Sequence, residues 1–368
     1  MADERSPLES EIRRLIAAAG PMPVAEYMRI CLTHPQYGYY VTRDPLGADG
    51  DFITAPEVSQ MFGELIGVWM AAVWRRMGAP ADVRIVELGP GRGTMMADAL
   101  RAVRVVKDFY DAVVLHLIEV SPRLQELQRE RLQGFGLQTA WHTALADVPG
   151  GPNIIVANEF IDALPVHQAV KRDDGWHQRV VGIDAGGKLT FDVGPDPLRL
   201  FEATLPPAVR QAPEDAIFEW RPDSIALELG QRVRSGGAAL IIDYGHGKSG
   251  LGDTLQAVGA HSFADPLAAP GQVDLTAHVD FEALAHGAES IGARCHGPLP
   301  QRDLLFNLGI TERAERLKAR ASGEAAAAIE LAFTRLTEPG EGGMGELFKA
   351  LAIADRKLDP LPGFVALA

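Results

Sequence analysis

The chain has 368 residues, enough for one large core with appendages or for two modest domains. Apolar residues make up 47% and charged residues 23%, as in a globular protein, and a net charge of −14 argues against a nucleic-acid-binding surface. Two cysteines, Cys31 and Cys295, imply neither a disulfide framework nor a cysteine-rich zinc site. No apolar run reaches membrane-span length, and the acidic start MADERSPLESEIRR shows no presequence, so the cytoplasm is the expected location.

An apolar stripe at Leu8, Ile12, Leu15 and Ile16 predicts a helix ending at Gly20-Pro21, and a second helix is expected over 24–32. The stretch HPQYGYYVTRDPLGADGDFITAPEVSQ is a long loop rich in glycine and aromatics. Such loops are either functional or packed Ω-loops. If this one folds over a ligand, Asp51, Thr54, Ser59 and Gln60 are the candidate contacts. Thr54 with Glu57 fits a capping box. Val58, Met61, Phe62, Leu65, Ile66, Trp69, Val73 and Trp74 then predict a long, buried helix.

The segment VRIVELGPGRGTMMADAL, residues 83–100, reads as buried strand, glycine turn and helix. Glycine lets the backbone approach a ligand closely, and the helix start offers free N–H groups. The spacing is G-x-G-x-G after Glu87, whereas a dinucleotide turn wants G-x-G-x-x-G. This pattern favours S-adenosylmethionine (SAM) over a nicotinamide cofactor. Glu87, Gly89, Pro90, Gly91, Gly93 and Thr94 are therefore candidate cofactor contacts. The next strand, 113–118, ends at Glu119, placed to hold the two ribose hydroxyls.

A helix over 122–133, a strand near 136–141 and a strand over 153–157 continue the alternation. This predicts a doubly wound, Rossmann-like parallel α/β sheet whose ligand crevice lies at the carboxyl ends of its strands. Alternating segments 166–172, 176–183 and 189–193 read as an antiparallel β insertion. A helix over 224–233 and a buried strand over 237–243 follow. The stretch 247–272 reads as loop. A helix over 279–291, a short strand near 293–297, a helical excursion over 304–336 and a last strand over 347–354, antiparallel to the fifth, complete the chain. Residues 1–80 form an N-terminal helical, cofactor-covering region and 81–368 the catalytic domain, with the β insertion at about 166–195 and the helical insertion at about 301–340. The ten histidines are scattered and show no metal-ligand spacing.

From about Pro21 onward the chain resembles the midA-like methyltransferases. The blocks that carry this are VAEYM, GYY, GDFITAPEVSQ, FGE, VELGPGRGT, NEFIDALPVH, GGAALIIDYGH and DLTAHVDF. The resemblance implies a SAM-dependent methyltransferase. In the mitochondrial members the acceptor is an arginine on a respiratory complex I subunit, and the missing presequence makes a bacterial member the expectation. An arginine stays protonated at neutral pH, so carboxylates should clamp it. Glu159 and Asp162, with Asn158 as a neutral partner, are the expected catalytic residues, unless Asp162 only caps its turn; Asp243 is a further candidate. The competing roles are a SAM-binding assembly chaperone and a nicotinamide-dependent oxidoreductase.

Overall fold

The computed structural model describes residues 6–42, 54–259, 262–340 and 342–364; the candidate contact Asp51 lies outside them. The chain divides into two units, and the residues before Val83 contribute to both.

The larger unit takes the described residues of Ile53–Ile161, Asp223–Gly247 and Phe281–Ala368. Its sheet contains β1 (Val83–Leu88), β2 (Val113–Ile118), β3 (Thr139–His142), β4 (Asn153–Asn158), β5 (Gly237–His246), β6 (Arg294–Pro300) and β7 (Phe348–Ala354). The order is β3-β2-β1-β4-β5-β7-β6. β1 to β5 are mutually parallel, and β7 runs antiparallel to both β5 and β6. The central parallel strands are buried on both faces, which explains unbroken apolar runs such as Ile154-Ile155-Val156, whereas the edge strand β3 is only half-buried. Strand order reverses between β1 and β4. The two strands stay paired as far as Leu88 and Ala157, and the connections leaving them part there to open a crevice, with Glu87 and Asn158 near its edge.

Helices α1 (Gln60–Arg76), α2 (Thr94–Val103) and α3 (Pro122–Leu132) belong to this unit. α1 is buried almost all round, and it crosses α2 through two glycines. A Cβ on Gly63 would lie 2.7 Å from Asp98 Cβ, and one on Gly67 only 2.6 Å from the Ala99 carbonyl oxygen. The expected helical excursion resolves into Gln301–Asn307, Ile310–Lys318 and Gly323–Thr337. Its middle helix is tied to α1 by a bidentate pair from Arg313 to the buried Glu64, at 2.6 and 2.8 Å.

The smaller unit takes the described residues of Met1–Phe52, Asp162–Pro222 and Lys248–Asp280. The expected antiparallel insertion appears as His167–Arg172, Gly175–Ile183 and Leu189–Pro197. Two further strands join it: Ile217–Trp220, and Met22–Pro23, too short to carry any periodicity. Leu8, Ile12, Ile16, Tyr27 and Met28 pack with Val166 and Val181 to form its core. Part of 247–272, expected as loop, instead forms the strands Gln256–Gly259 and Ser262–Ala264. Among the described residues, no helix is long and apolar enough to cross a membrane.

Replacing Gly67 with alanine sets two effects against each other. Helix propensity would gain about 1 kcal/mol. The new Cβ, however, overlaps backbone, which cannot rotate away, at a cost of roughly 1–3 kcal/mol. Overlap is expected to win, and Gly67→Ala should lower the melting temperature by a few degrees. A raised melting temperature would mean that α1 and α2 can part freely.

Candidate active site

The glycine turn after β1 holds Gly89, Gly91 and Gly93 at φ of 62°, 54° and 74°. These left-handed values explain why glycine alternates there. At Gly89 there is also no room, since a Cβ would meet the Phe160 ring at 2.8 Å. The turn closes through Gly93 N–H to the Pro90 carbonyl at 2.7 Å. Gly93 then caps α2 with no side-chain bond to the first-turn N–H groups. Those groups suit an anionic or carbonyl oxygen.

Two acids flank the turn. Glu87, on β1, is fully buried, and its Oε2 has no hydrogen-bond partner. Burial, and then the charge of Glu119, push its carboxyl up to about 8. Glu119 follows β2 and is also buried. Its Oε1 accepts from Ser121 N–H at 2.8 Å and its Oε2 from Gln128 Nε2 at 3.2 Å. Burial raises its pKa, opposed by these bonds.

Gln128, on α3, was not foreseen as a site residue. It is completely buried; Nε2 also donates to the Gly91 carbonyl at 2.7 Å, and Oε1 accepts from Trp141 Nε1 at 2.8 Å. The available signal was a polar residue in the apolar stripe Leu124, Gln128, Leu132.

The turn after β4 carries Asn158 and Glu159. Glu159 adopts φ 50°, a left-handed value that a non-glycine residue seldom takes. Its Oε1 accepts from Ala55 N–H at 3.1 Å and from Asn158 Nδ2 at 3.0 Å. An ionised carboxylate only accepts, so the Asn158 amide nitrogen must face it. Asn158 Oδ1 is left buried with no partner. Asp243 serves the backbone here: Oδ2 accepts from Phe160 and Ile161 N–H at 3.2 and 2.9 Å, and Oδ1 from Tyr244 N–H at 2.9 Å. It scaffolds the turn, which corrects the reading of Asp243 as a further acceptor contact.

The capping-box reading is corrected too. Thr54 caps the one-turn helix Ala55–Val58 without a side-chain bond, and Glu57 accepts instead from Thr94 Oγ1 at 2.5 Å. This bond carries the start of α2 back to the stretch before α1. Ser59 caps α1 by accepting from Met61 N–H at 3.2 Å, and the exposed Gln60 accepts from Arg101 at 3.5 Å. Asp162 belongs to the smaller unit, where it is buried and its Oδ1 accepts from Ala163 N–H at 2.8 Å. No cluster of three or more potential metal ligands occurs among the described residues.

A family model for S-adenosyl-L-methionine-dependent methyltransferases matches residues 65–299. The chain is 38% identical over 376 residues to the protein arginine methyltransferase NDUFAF7 homolog of Drosophila melanogaster, covering 94% of this chain and 84% of that protein. Against the mitochondrial protein arginine methyltransferase NDUFAF7 of Homo sapiens it is 38% identical over 378 residues, covering 95% and 83%. A crystal structure from Burkholderia thailandensis with bound S-adenosyl-homocysteine superposes with a TM-score of 0.84 at 29% identity. That alignment covers 97% of this chain and 94% of the other. These findings decide between the two cofactors that the sequence left open.

The raised pKa of Glu87 gives stability a pH dependence. A carboxyl protonated when folded and ionised when unfolded contributes stability that is complete below its ordinary value of 4.5. That contribution is lost as pH rises through about 8. Each pKa unit is worth about 1.4 kcal/mol. Glu87→Gln should therefore flatten the fall in melting temperature of the cofactor-free protein over that window. Identical pH slopes in the two proteins would show that Glu87 does not titrate there.

Proposed function

The chain belongs to the S-adenosyl-L-methionine-dependent methyltransferases, and from that premise we propose that it methylates arginine side chains of a protein. A respiratory complex I subunit is the acceptor implied by the sequence resemblance. The arginine reading is supported by the names of its relatives and by one structural observation. Beside the carboxylate of Glu159, the buried Asn158 Oδ1 lacks a donor. A buried acceptor left unsatisfied costs about 1–3 kcal/mol, so it awaits a donor from a ligand. A guanidinium brings five N–H donors and a positive charge, and it has no acceptor that would repel these oxygens.

The residues present fit the cofactor. SAM, when bound, supplies an electrophilic methyl group on a sulfonium, which leaves positioning and charge to the protein. Gly89, Pro90, Gly91, Gly93 and Thr94 would hold its methionine part against the start of α2. The unpartnered Glu87 Oε2 offers an acceptor, and Glu119 would hold the ribose hydroxyls. Thr54, Ser59 and Gln60 complete the proposed contact set. On the acceptor side, Asn158 Oδ1 takes one guanidinium N–H and fixes the nitrogen that reacts. Glu159 would balance the charge while that nitrogen passes its proton to solvent. Asp162 is proposed as the further acid, and its bond to Ala163 N–H gives it a turn-holding role as well.

Single-turnover transfer from bound SAM tests the acceptor assignment. Glu159→Gln should keep SAM affinity and slow transfer about a hundredfold, the scale of a lost transition-state contact. Near-normal transfer would remove Glu159 from the catalytic list. Asp162→Asn keeps an oxygen for the Ala163 N–H, so a loss shared by Asp162→Asn and Asp162→Ala marks a role for the charge. A loss confined to alanine marks the turn alone. Glu119→Ala should weaken SAM and S-adenosyl-homocysteine alike, by at least about tenfold, because both carry the ribose. Mass spectrometry of methylated arginines in wild-type and deletion strains tests the reaction itself. Normal SAM binding with no methylarginine lost would favour the assembly-chaperone role.

A further inference from the structure

We infer that Gln128 is a positioning residue that joins the two ends of the cofactor site, holding the glycine turn and the ribose-binding acid in one register. The inference rests on the cofactor reading above.

The amide is buried completely in a helix face otherwise made of leucines. Burying an amide is costly unless its hydrogen bonds are made. Here three neighbours engage it, and each can play one role only. Trp141 Nε1 can only donate, so it must face Oε1, at 2.8 Å. The Gly91 carbonyl and the Glu119 carboxylate accept, so they must face Nε2, at 2.7 and 3.2 Å. The orientation of the amide is therefore fixed by its partners, and both of its N–H groups are engaged.

Both acceptors need this restraint. Gly91 lies in a left-handed turn and has no side chain to anchor it. Glu119 accepts from Ser121 N–H on Oε1 and from Gln128 on Oε2, and a backbone bond from Val120 also favours its charged form. A carboxylate has about four lone-pair sites, so it can still accept from a ligand hydroxyl once the plane of the group is set. Gln128 sets that plane, and the same nitrogen fixes the carbonyl of the turn. A ligand that spans both elements binds a site whose halves cannot drift apart, so less ordering is required on binding.

The test is calorimetric titration of the full-length protein with SAM and with S-adenosyl-homocysteine. Gln128→Met keeps the volume and removes every hydrogen bond. It should weaken both ligands by about tenfold or more, the effect of losing a hydrogen bond to a charged group. In a Glu119→Ala background the same change should weaken binding much less, because the carboxylate it orients is gone. A packing role would give equal losses in both backgrounds. Gln128→Glu covers the case in which the methionine variant does not fold. Its carboxylate repels Glu119 when ionised but regains a donor when protonated, so its affinity relative to wild type should recover as pH falls. A folded Gln128→Met with wild-type affinity, or equal losses in both backgrounds, overturns the inference. So does a pH-independent ratio for Gln128→Glu. Failure of the wild-type protein itself to bind SAM would instead remove the cofactor reading on which the inference stands.

Discussion

Asp243 lies near the end of β5 without exposure to solvent, and its two oxygens collect the N–H groups of Phe160, Ile161 and Tyr244. A carboxylate so placed would be strongly unfavourable alone; three backbone donors make it tolerable and turn it into a clamp. The clamp shapes the chain as it leaves β4. It accompanies the left-handed conformation of Glu159, a geometry that costs about 1–3 kcal/mol and persists only where its surroundings over-determine it. It also fixes Phe160, whose ring fills the space where a side chain on Gly89 would stand. The turn after β1 and the turn after β4 therefore constrain each other, although 70 residues separate Gly89 from Glu159 in sequence.

The electrostatics of the crevice follow from the same burial. Glu87 and Glu119 are both withdrawn from water, and burial, followed by the charge of Glu119, raises the pKa of the Glu87 carboxyl. A protonated Glu87 can stand close to the Glu119 carboxylate without a second buried charge. The glycine turn and the two acids thus meet in one crevice, one shaping it by sterics and the other by burial.

The sequence made the strand-tip residues legible because a parallel sheet delivers every strand's end to one edge. Glu87, Glu119, Asn158 and the glycine turn could be read from that rule alone. The bonds that tune them could not. Gln128 joins Gly91, Glu119 and Trp141 only after α3 has packed back on the sheet. Asp243 acts on backbone some 80 residues earlier, and backbone N–H groups leave no trace in a sequence. Thr54 and Glu57 had the spacing of a local cap, yet the carboxylate found Thr94 instead. Local pattern proposed a partner there, and tertiary packing supplied a better one. Ile217–Trp220 and Met22–Pro23 escaped notice because short strands take their identity from neighbours rather than from periodicity.

The place of β7 has a consequence for how the protein is made. Among the described residues it is the last strand in chain order, yet it lies inside the sheet, between β5 and β6. While the ribosome is still short of Phe348, β5 presents an open apolar edge, and β6 waits for the strand it pairs with. Unpaired edges of this kind recruit foreign strands, so the nascent chain carries an aggregation hazard from the emergence of β5 until that of β7. Closure of the sheet, and with it the final support for Asp243 and the turn it holds, comes only when the C-terminal segment emerges. Truncation shortly before β7 should accordingly be far more damaging than its small length implies.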